Sequence, residues 1–247
     1  MRFALFRRSV PDPAHLEVAH EGQTFRVLLR RRPAARRMTL RVSSATAEVV
    51  LTVPEHVDLA ATQRFADAHG GWIAARLAKV PRRVSLQHGE RVPLRGVPHR
   101  IVHWSAVRGA TVATTDSSGE PLIAVSGDPI LVSKRVREFL EREARADLEK
   151  AVKAHTLALG HFAKRLSVRD TTTRWGSCSA KGHLSFSWRL VLAPPFVLDY
   201  LAAHEVAHLK ELNHSHRFWT LVHRLCPRTE EAESWLKRHG TELHRYG

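Results

Sequence analysis

His204-Glu205-Val206-Ala207-His208, followed by His214, holds the residue types needed to activate water on a metal ion. Two histidines four apart lie on one face of a helix, where their imidazoles can converge on a single ion. Glu205 stands beside the first of them, suited to taking a proton from the activated water rather than to binding the metal. His214 is the candidate third ligand, and His216 is its rival. On an unbroken helix, at about 100° per residue, position 214 would sit roughly 80° from His204 and roughly 120° from His208, so the chain must turn before it. Asn213, which can adopt the left-handed conformation, is expected to end the helix. Ser215 is expected to cap the next one ahead of Phe218, Leu221, Val222 and Leu225. His216, just past that cap, is expected to face solvent or to stand behind the ligands. With 17 histidines in the chain, the five-residue motif is weak evidence by itself. Its helical setting, the turn before His214 and a hairpin upstream strengthen it.

The elements that must position these residues are legible around them. Pro194-Pro195 suits the opening turn of the helix that carries the motif. Before it, residues 171–179 and 183–192 read as two strands joined through Ala180-Lys181-Gly182. In the second strand Leu184, Phe186, Trp188 and Leu190 alternate with Ser185, Ser187 and Arg189, which predicts one buried and one polar face. A long amphipathic helix begins near Ser133, with Val136, Leu140, Ala144, Leu148 and Val152 at helical spacing. The chain closes with a helix from about Glu230, capped by Thr229 and packing Trp235 and Leu236. Upstream, residues 24–29, 38–42 and 49–53 read as strands of a small antiparallel sheet. Residues 58–80 read as a helix that Gly70-Gly71 can break and Pro81 ends. Strands follow at 92–107, 111–114 and 122–125. Composition changes near Ser126-Gly127-Asp128-Pro129, which places a boundary between a β-rich domain at 1–128 and a helix-rich domain at 129–247. The fold class is therefore α+β.

Composition bounds the rest. The 247 residues, 43% of them hydrophobic, suffice for a full core in one large or two small domains. No apolar run approaches a membrane span, and the apolar part of Met1 to Arg8 is too short for a secretory signal, so cytoplasmic residence is expected. Cys178 and Cys226 offer no disulfide framework and fit a reducing compartment. Cys178 reads as a small buried residue in preference to a reactive thiol. Lys and Arg number 39 against 24 Asp and Glu, a formal net charge of +15. Such an excess favours polyanions, among them nucleotides, nucleic acids and acidic peptides. Its densest run, Arg30-Arg31-Arg32 with Arg36-Arg37, reads as a solvated loop and strand edge.

Arg174-Trp175-Gly176-Ser177-Cys178-Ser179, Trp188-Arg189-Leu190, the histidine motif with Leu209, Asn213-His214-Ser215 and Phe218-Trp219 together resemble the YgjP-like metal-dependent hydrolases. These are grouped with the zincin metallopeptidases and are similar in outline to SprT-like and WLM proteases. The likeness spans roughly residues 133–235, and a looser one continues upstream through Ala35-Arg36-Arg37, Leu51-Thr52-Val53-Pro54 and Trp72-Ile73. It implies a zincin-like C-terminal domain with zinc on His204, His208 and His214 and with Glu205 as general base. The ligand spacing equals that of metzincins, but those carry Gly where this chain has Glu211, and no Met-turn is recognisable.

The chemistry expected from these residues is hydrolysis of a peptide bond by zinc-activated water, with Glu205 passing the proton to the leaving amine. Arg174 is the candidate donor to the oxyanion, with His216 second. The hairpin could align an extended peptide by strand addition, and Trp175 and Trp188 read as core. Two other readings use the same residues. Water could be directed at the phosphoanhydride of a nucleoside triphosphate, although the chain has neither a P-loop nor an acidic Mg²⁺ cluster. Alternatively, the zinc could be structural in a basic nucleic-acid-binding protein, although four protein ligands usually close such a site and three are evident.

Overall fold

Short β-branched runs in the first part of the chain, separated by polar turns, form four strands, and two helices follow. The computed structural model describes residues 12–43, 46–80, 82–104 and 109–247. Met1 to Arg8, Pro81 and the last residues of the strand expected at 92–107 lie outside them. The chain divides into two compact units, residues 1–81 and 82–247. In the first, β1 (His15–His20), β2 (Gln23–Arg31), β3 (Thr39–Val42) and β4 (Val49–Val53) make a sheet in the order β1-β2-β4-β3. Helices α1 (Leu59–Ala68) and α2 (Gly70–Leu77) bury Ala66 and Ile73 together with Val18, Val27 and Leu51. Asp58 caps α1 by accepting from the amide of Ala61 at 2.6 Å. The helix breaks at His69, and α2 opens at Gly70, where a Cβ would lie 2.9 Å from that of His20 in β1. Within the arginine run, Arg31 is structural: its guanidinium donates to the carbonyls of Pro54 and Val57 at 3.0 and 2.6 Å and pairs with Asp12.

The second unit contains β5 (Arg91–Leu94), β6 (Val97–Trp104), β7 (Val112–Thr115) and β8 (Pro121–Ser126), ordered β5-β6-β8-β7. Then come α3 (Val132–Leu159), β9 (Arg165–Arg169), β10 (Gly176–Cys178), β11 (His183–Ser187), a 3-10 turn at Trp188–Leu192, α4 (Pro195–Ala207), α5 (His216–Leu225) and α6 (Thr229–Leu243). The division at 81/82 differs from the 128/129 expected from composition. The reason is packing: Val92, Ile101 and Ile123 of the second sheet share one core with Val136 and Leu140 of α3. The class is α+β as expected, but each sheet is mixed. The pairs β2–β4, β6–β8 and β9–β11 are parallel; the first corrects the small antiparallel sheet expected at 24–29, 38–42 and 49–53, whereas β10 and β11 form the antiparallel hairpin expected through Ala180-Lys181-Gly182.

Helix α3 buries all five residues placed on its apolar stripe and stops at Gly160, which takes φ of 73°. Other details depart from the sequence reading. The strand expected at 183–192 ends at Ser187, and the Trp188–Leu192 turn is buried on every side. Arg189, expected on a polar face, is only 5% exposed. Its charge is met by Asp170, which also accepts from Arg137 at 2.6 Å and from the Trp188 indole at 3.3 Å. Thr229 lies inside α6 and does not cap it; its hydroxyl donates back to the Cys226 carbonyl at 2.7 Å. Trp235 and Leu236 pack on the core as expected.

His244, just past α6, stacks on Trp175 with ring centroids 4.7 Å apart, and its Nδ1 is buried without a partner. Burial, helped by the charge of Arg189 and opposed by Asp170, pushes its pKa down to about 4. The unfolded chain therefore takes up a proton at His244 near pH 6.5 that the folded chain refuses until about pH 4. Stability from this residue is complete above pH 6.5 and is lost as pH falls toward 4. The ring is not wholly enclosed, so we expect roughly 1–2 kcal/mol, less than the full linkage value. His244→Phe, which keeps the stacking, should flatten the fall in melting temperature between pH 7 and pH 4.5. An unchanged pH slope would place the acid sensitivity elsewhere.

Candidate metal centre

Helix α4 is apolar almost all round and buries Val197, Leu201, Ala202, Ala203 and Val206. A helix sunk this deeply needs a reason to carry His204, Glu205 and His208 at its end. It terminates at Ala207, with His208 as a right-handed cap, and the backbone tightens there through Leu209 N–H to Val206 O at 3.0 Å. Asn213 was expected to end it in the left-handed conformation. No positive φ occurs at Asn213; instead its Oδ1 accepts from the Ser215 amide at 3.2 Å, which organises the turn into α5. Ser215 caps α5 as expected, accepting from Phe218 N–H at 3.5 Å.

This turn brings His214 back over α4. One ring nitrogen from each of His204, His208 and His214 lies within 4.8 Å of the others. The Nε2 atoms of His204 and His214 are 3.2 Å apart. Donors bound tetrahedrally at about 2.0–2.1 Å from zinc would be separated by about 3.3 Å, which this pair matches. His216 is exposed at the first turn of α5 and is not part of the cluster.

Two of the three outer nitrogens have partners. His208 Nδ1 meets the Glu211 carbonyl at 2.9 Å. His204 Nδ1 lies 3.4 Å from the Tyr200 hydroxyl, which itself donates to Glu233 at 2.8 Å. Both contacts favour the tautomer whose Nε2 lone pair faces the cluster. Burial, with the charges of His208 and His214, pushes His204 down to about pKa 4, and burial also lowers His208. Neutral imidazoles are the form that binds metal. Phe218, fully buried, supports all three rings, with centroid distances of 4.9, 4.4 and 4.8 Å to His204, His208 and His214. Tyr200 and Glu233 were not singled out from sequence. A tyrosine one helical turn before His204 was the available signal, but Glu233 comes from α6 and its approach is tertiary.

Glu205 is 5% exposed and lies under β10. A Cβ at Gly176 would meet its Oε1 at 2.6 Å and its Cγ at 2.7 Å, so only glycine leaves room for this carboxyl group. Burial pushes the Glu205 pKa up to about 7, against the pull of the Arg174 guanidinium. Arg174, Ser177 and Cys178 complete a cleft of about 310 Å³ with Glu205 and the three histidines. Burial, and then the charge of Glu205, raise the Cys178 thiol to about 11, which keeps it protonated and unreactive at neutral pH. Among the described residues, strand β10 pairs only with β11, in the sheet order β10-β11-β9. Trp188 is core, as expected, and Trp175 is partly buried against it.

The model of the YgjP-like metallopeptidase domain matches residues 36–239, most of the chain. The chain belongs to the YgjP-like family. It is thus a metal-dependent, peptidase-like hydrolase, and membership implies a metal ion, usually zinc. Among solved structures, the metallopeptidase zymogen abylysin of Pyrococcus abyssi is similar at 25% identity and a TM-score of 0.35, over 40% of this chain and 97% of its own. No curated protein matches. No helix among the described residues is long and apolar enough to cross a membrane.

Two substitutions probe the supports of this YgjP-like site. Tyr200→Phe removes the group beside His204 Nδ1 and should weaken metal binding about tenfold, measured by competition with a chromogenic chelator. Gly176→Ala should leave metal content near that of the parent while displacing Glu205, so turnover should fall at least about a hundredfold. Full activity in Gly176→Ala would mean that Glu205 does not need this close packing.

Proposed function

We propose that this chain is a zinc-dependent peptidase in which His204, His208 and His214 hold the ion and Glu205 is the general base. The observation that carries the reading is the convergence of three imidazoles, those of His204 and His208 held toward the neutral form by burial, beside a buried carboxyl group and beneath a strand whose outer edge is unpaired among the described residues. Bound zinc would lower the pKa of water toward 7 and polarise a substrate carbonyl. The Glu205 carboxylate accepts the proton from the attacking water and returns it to the amine nitrogen as the peptide bond breaks. A pKa near neutrality suits a group that must do both. The Arg174 guanidinium, which lines the same cleft, donates to the oxygen that gains charge. The unpaired edge of β10 offers backbone donors and acceptors to an extended peptide. Nucleotide and nucleic-acid contacts keep only the support of net charge.

The deciving comparison is metal content and turnover in the parent, Glu205→Gln and His208→Ala, with casein and a nucleoside triphosphate as parallel substrates. We expect one zinc in the parent and in Glu205→Gln but little in His208→Ala. Peptide cleavage should fall by about 10²–10⁴ in Glu205→Gln. Pyrophosphate release without peptide cleavage would replace the peptidase reading, and zinc retained by His208→Ala would overturn the ligand set.

A further inference from the structure

The metal cleft continues into a second groove of about 490 Å³ over the face of the β9–β10–β11 sheet, and Arg174, Ser177 and Cys178 line both. Register explains its character. Ser177 of β10 pairs with Ser185 of β11, which pairs with Ser167 of β9, so three hydroxyl residues form one row across the sheet. Cross-strand partners point to the same face, and Arg165 and Arg169, two positions either side of Ser167, share it. The opposite face carries Leu166, Leu184 and Phe186, which pack on the core.

The arginines of this groove differ from several others in the same unit. Arg95 is held by Asp147 and Glu143, Arg100 by Asp116 and Glu120, and Arg137 and Arg189 share Asp170. Among the described residues, no acidic side chain lies within ion-pair distance of Arg165, Arg169 or Arg174, and none lines the groove. A concave surface with three guanidinium groups and a row of serines presents donors and no anionic acceptor, the complement of a carboxylate-rich ligand.

We propose that this groove is a specificity subsite that receives the acidic side chains of a peptide held in the metal cleft. The proposal rests on the peptidase reading for the source of its ligand. From Ser177 to Ser167 the row crosses two inter-strand gaps, about 10 Å, which an extended peptide covers in about three residues. A glutamate or aspartate on the part of the peptide that passes the β10 edge onto this face meets Arg165 and Arg169.

The test uses two fluorescein-labelled peptides of one sequence, one with glutamates and the other with glutamines at the flanking positions. Anisotropy with zinc-loaded Glu205→Gln protein should show the glutamate peptide binding about three- to tenfold more tightly at low salt, as expected of two exposed ion pairs. Adding Arg165→Gln and Arg169→Gln should abolish that preference without changing metal content or affinity for the glutamine peptide. Equal binding of both peptides, or a preference that survives the double substitution, overturns the subsite. So does tighter binding of a single-stranded oligonucleotide that is lost in the same double variant. A parallel cleavage assay with an intact Glu205 keeps the two ideas separable. Charge-dependent binding with neither peptide cleaved retains the subsite and sinks the peptidase reading, whereas equal cleavage and equal binding do the reverse.

Discussion

An α-helix continued past Ala207 would carry His214 around to a side that neither His204 nor His208 faces, so everything at this site depends on α4 stopping and the chain folding back. Neither glycine nor proline stops it. The last turn tightens, the Glu211 carbonyl meets His208 Nδ1, and the Asn213 and Ser215 side chains accept from the amides of Ser215 and Phe218 at the start of α5. Burial of Phe218 then anchors the returning segment against all three imidazoles. One aromatic residue thus couples the apolar core to the spacing of the nitrogen donors.

The same core sets the electrostatics. Helix α4 is buried because its residues are apolar almost all round, and its polar end is drawn into a low-dielectric setting with it. Burial favours the uncharged forms of His204 and Glu205, in opposite pKa directions. The first effect suits a metal ligand and the second a group that exchanges protons near neutrality. Gly176 makes the burial of Glu205 sterically feasible, and Tyr200 with Glu233 supplies a polar anchor behind His204. These supports come from β10 and α6, so the catalytic chemistry proposed for α4 relies on elements before and after it.

The small sheet above α4 divides its two faces by the alternation of strand side chains. Leucine and phenylalanine enter the core, while serines and arginines face a groove that runs on from the cleft. Arg95, Arg100, Arg137 and Arg189 of the same unit are met by carboxylates, whereas no acidic side chain among the described residues is within ion-pair distance of the guanidinium groups of this groove.

The sequence by itself determined the residue types at the cleft, the apolar stripe of α3, the proline start of α4, the Ser215 cap and the Ala180-Lys181-Gly182 turn. These follow from local rules: side-chain periodicity, backbone preference and hydrogen bonds within a few residues. Family membership was legible too, because its motifs are contiguous runs. Tertiary structure alone decided that the β5–β8 sheet belongs with α3, since a composition change near Asp128 says nothing about which apolar faces meet. It also decided the parallel pairing of β9 with β11, the burial of Arg189 against Asp170, and the approach of Glu233 to Tyr200. Each of these joins residues distant along the chain, and their energies depend on shared burial that no local pattern encodes.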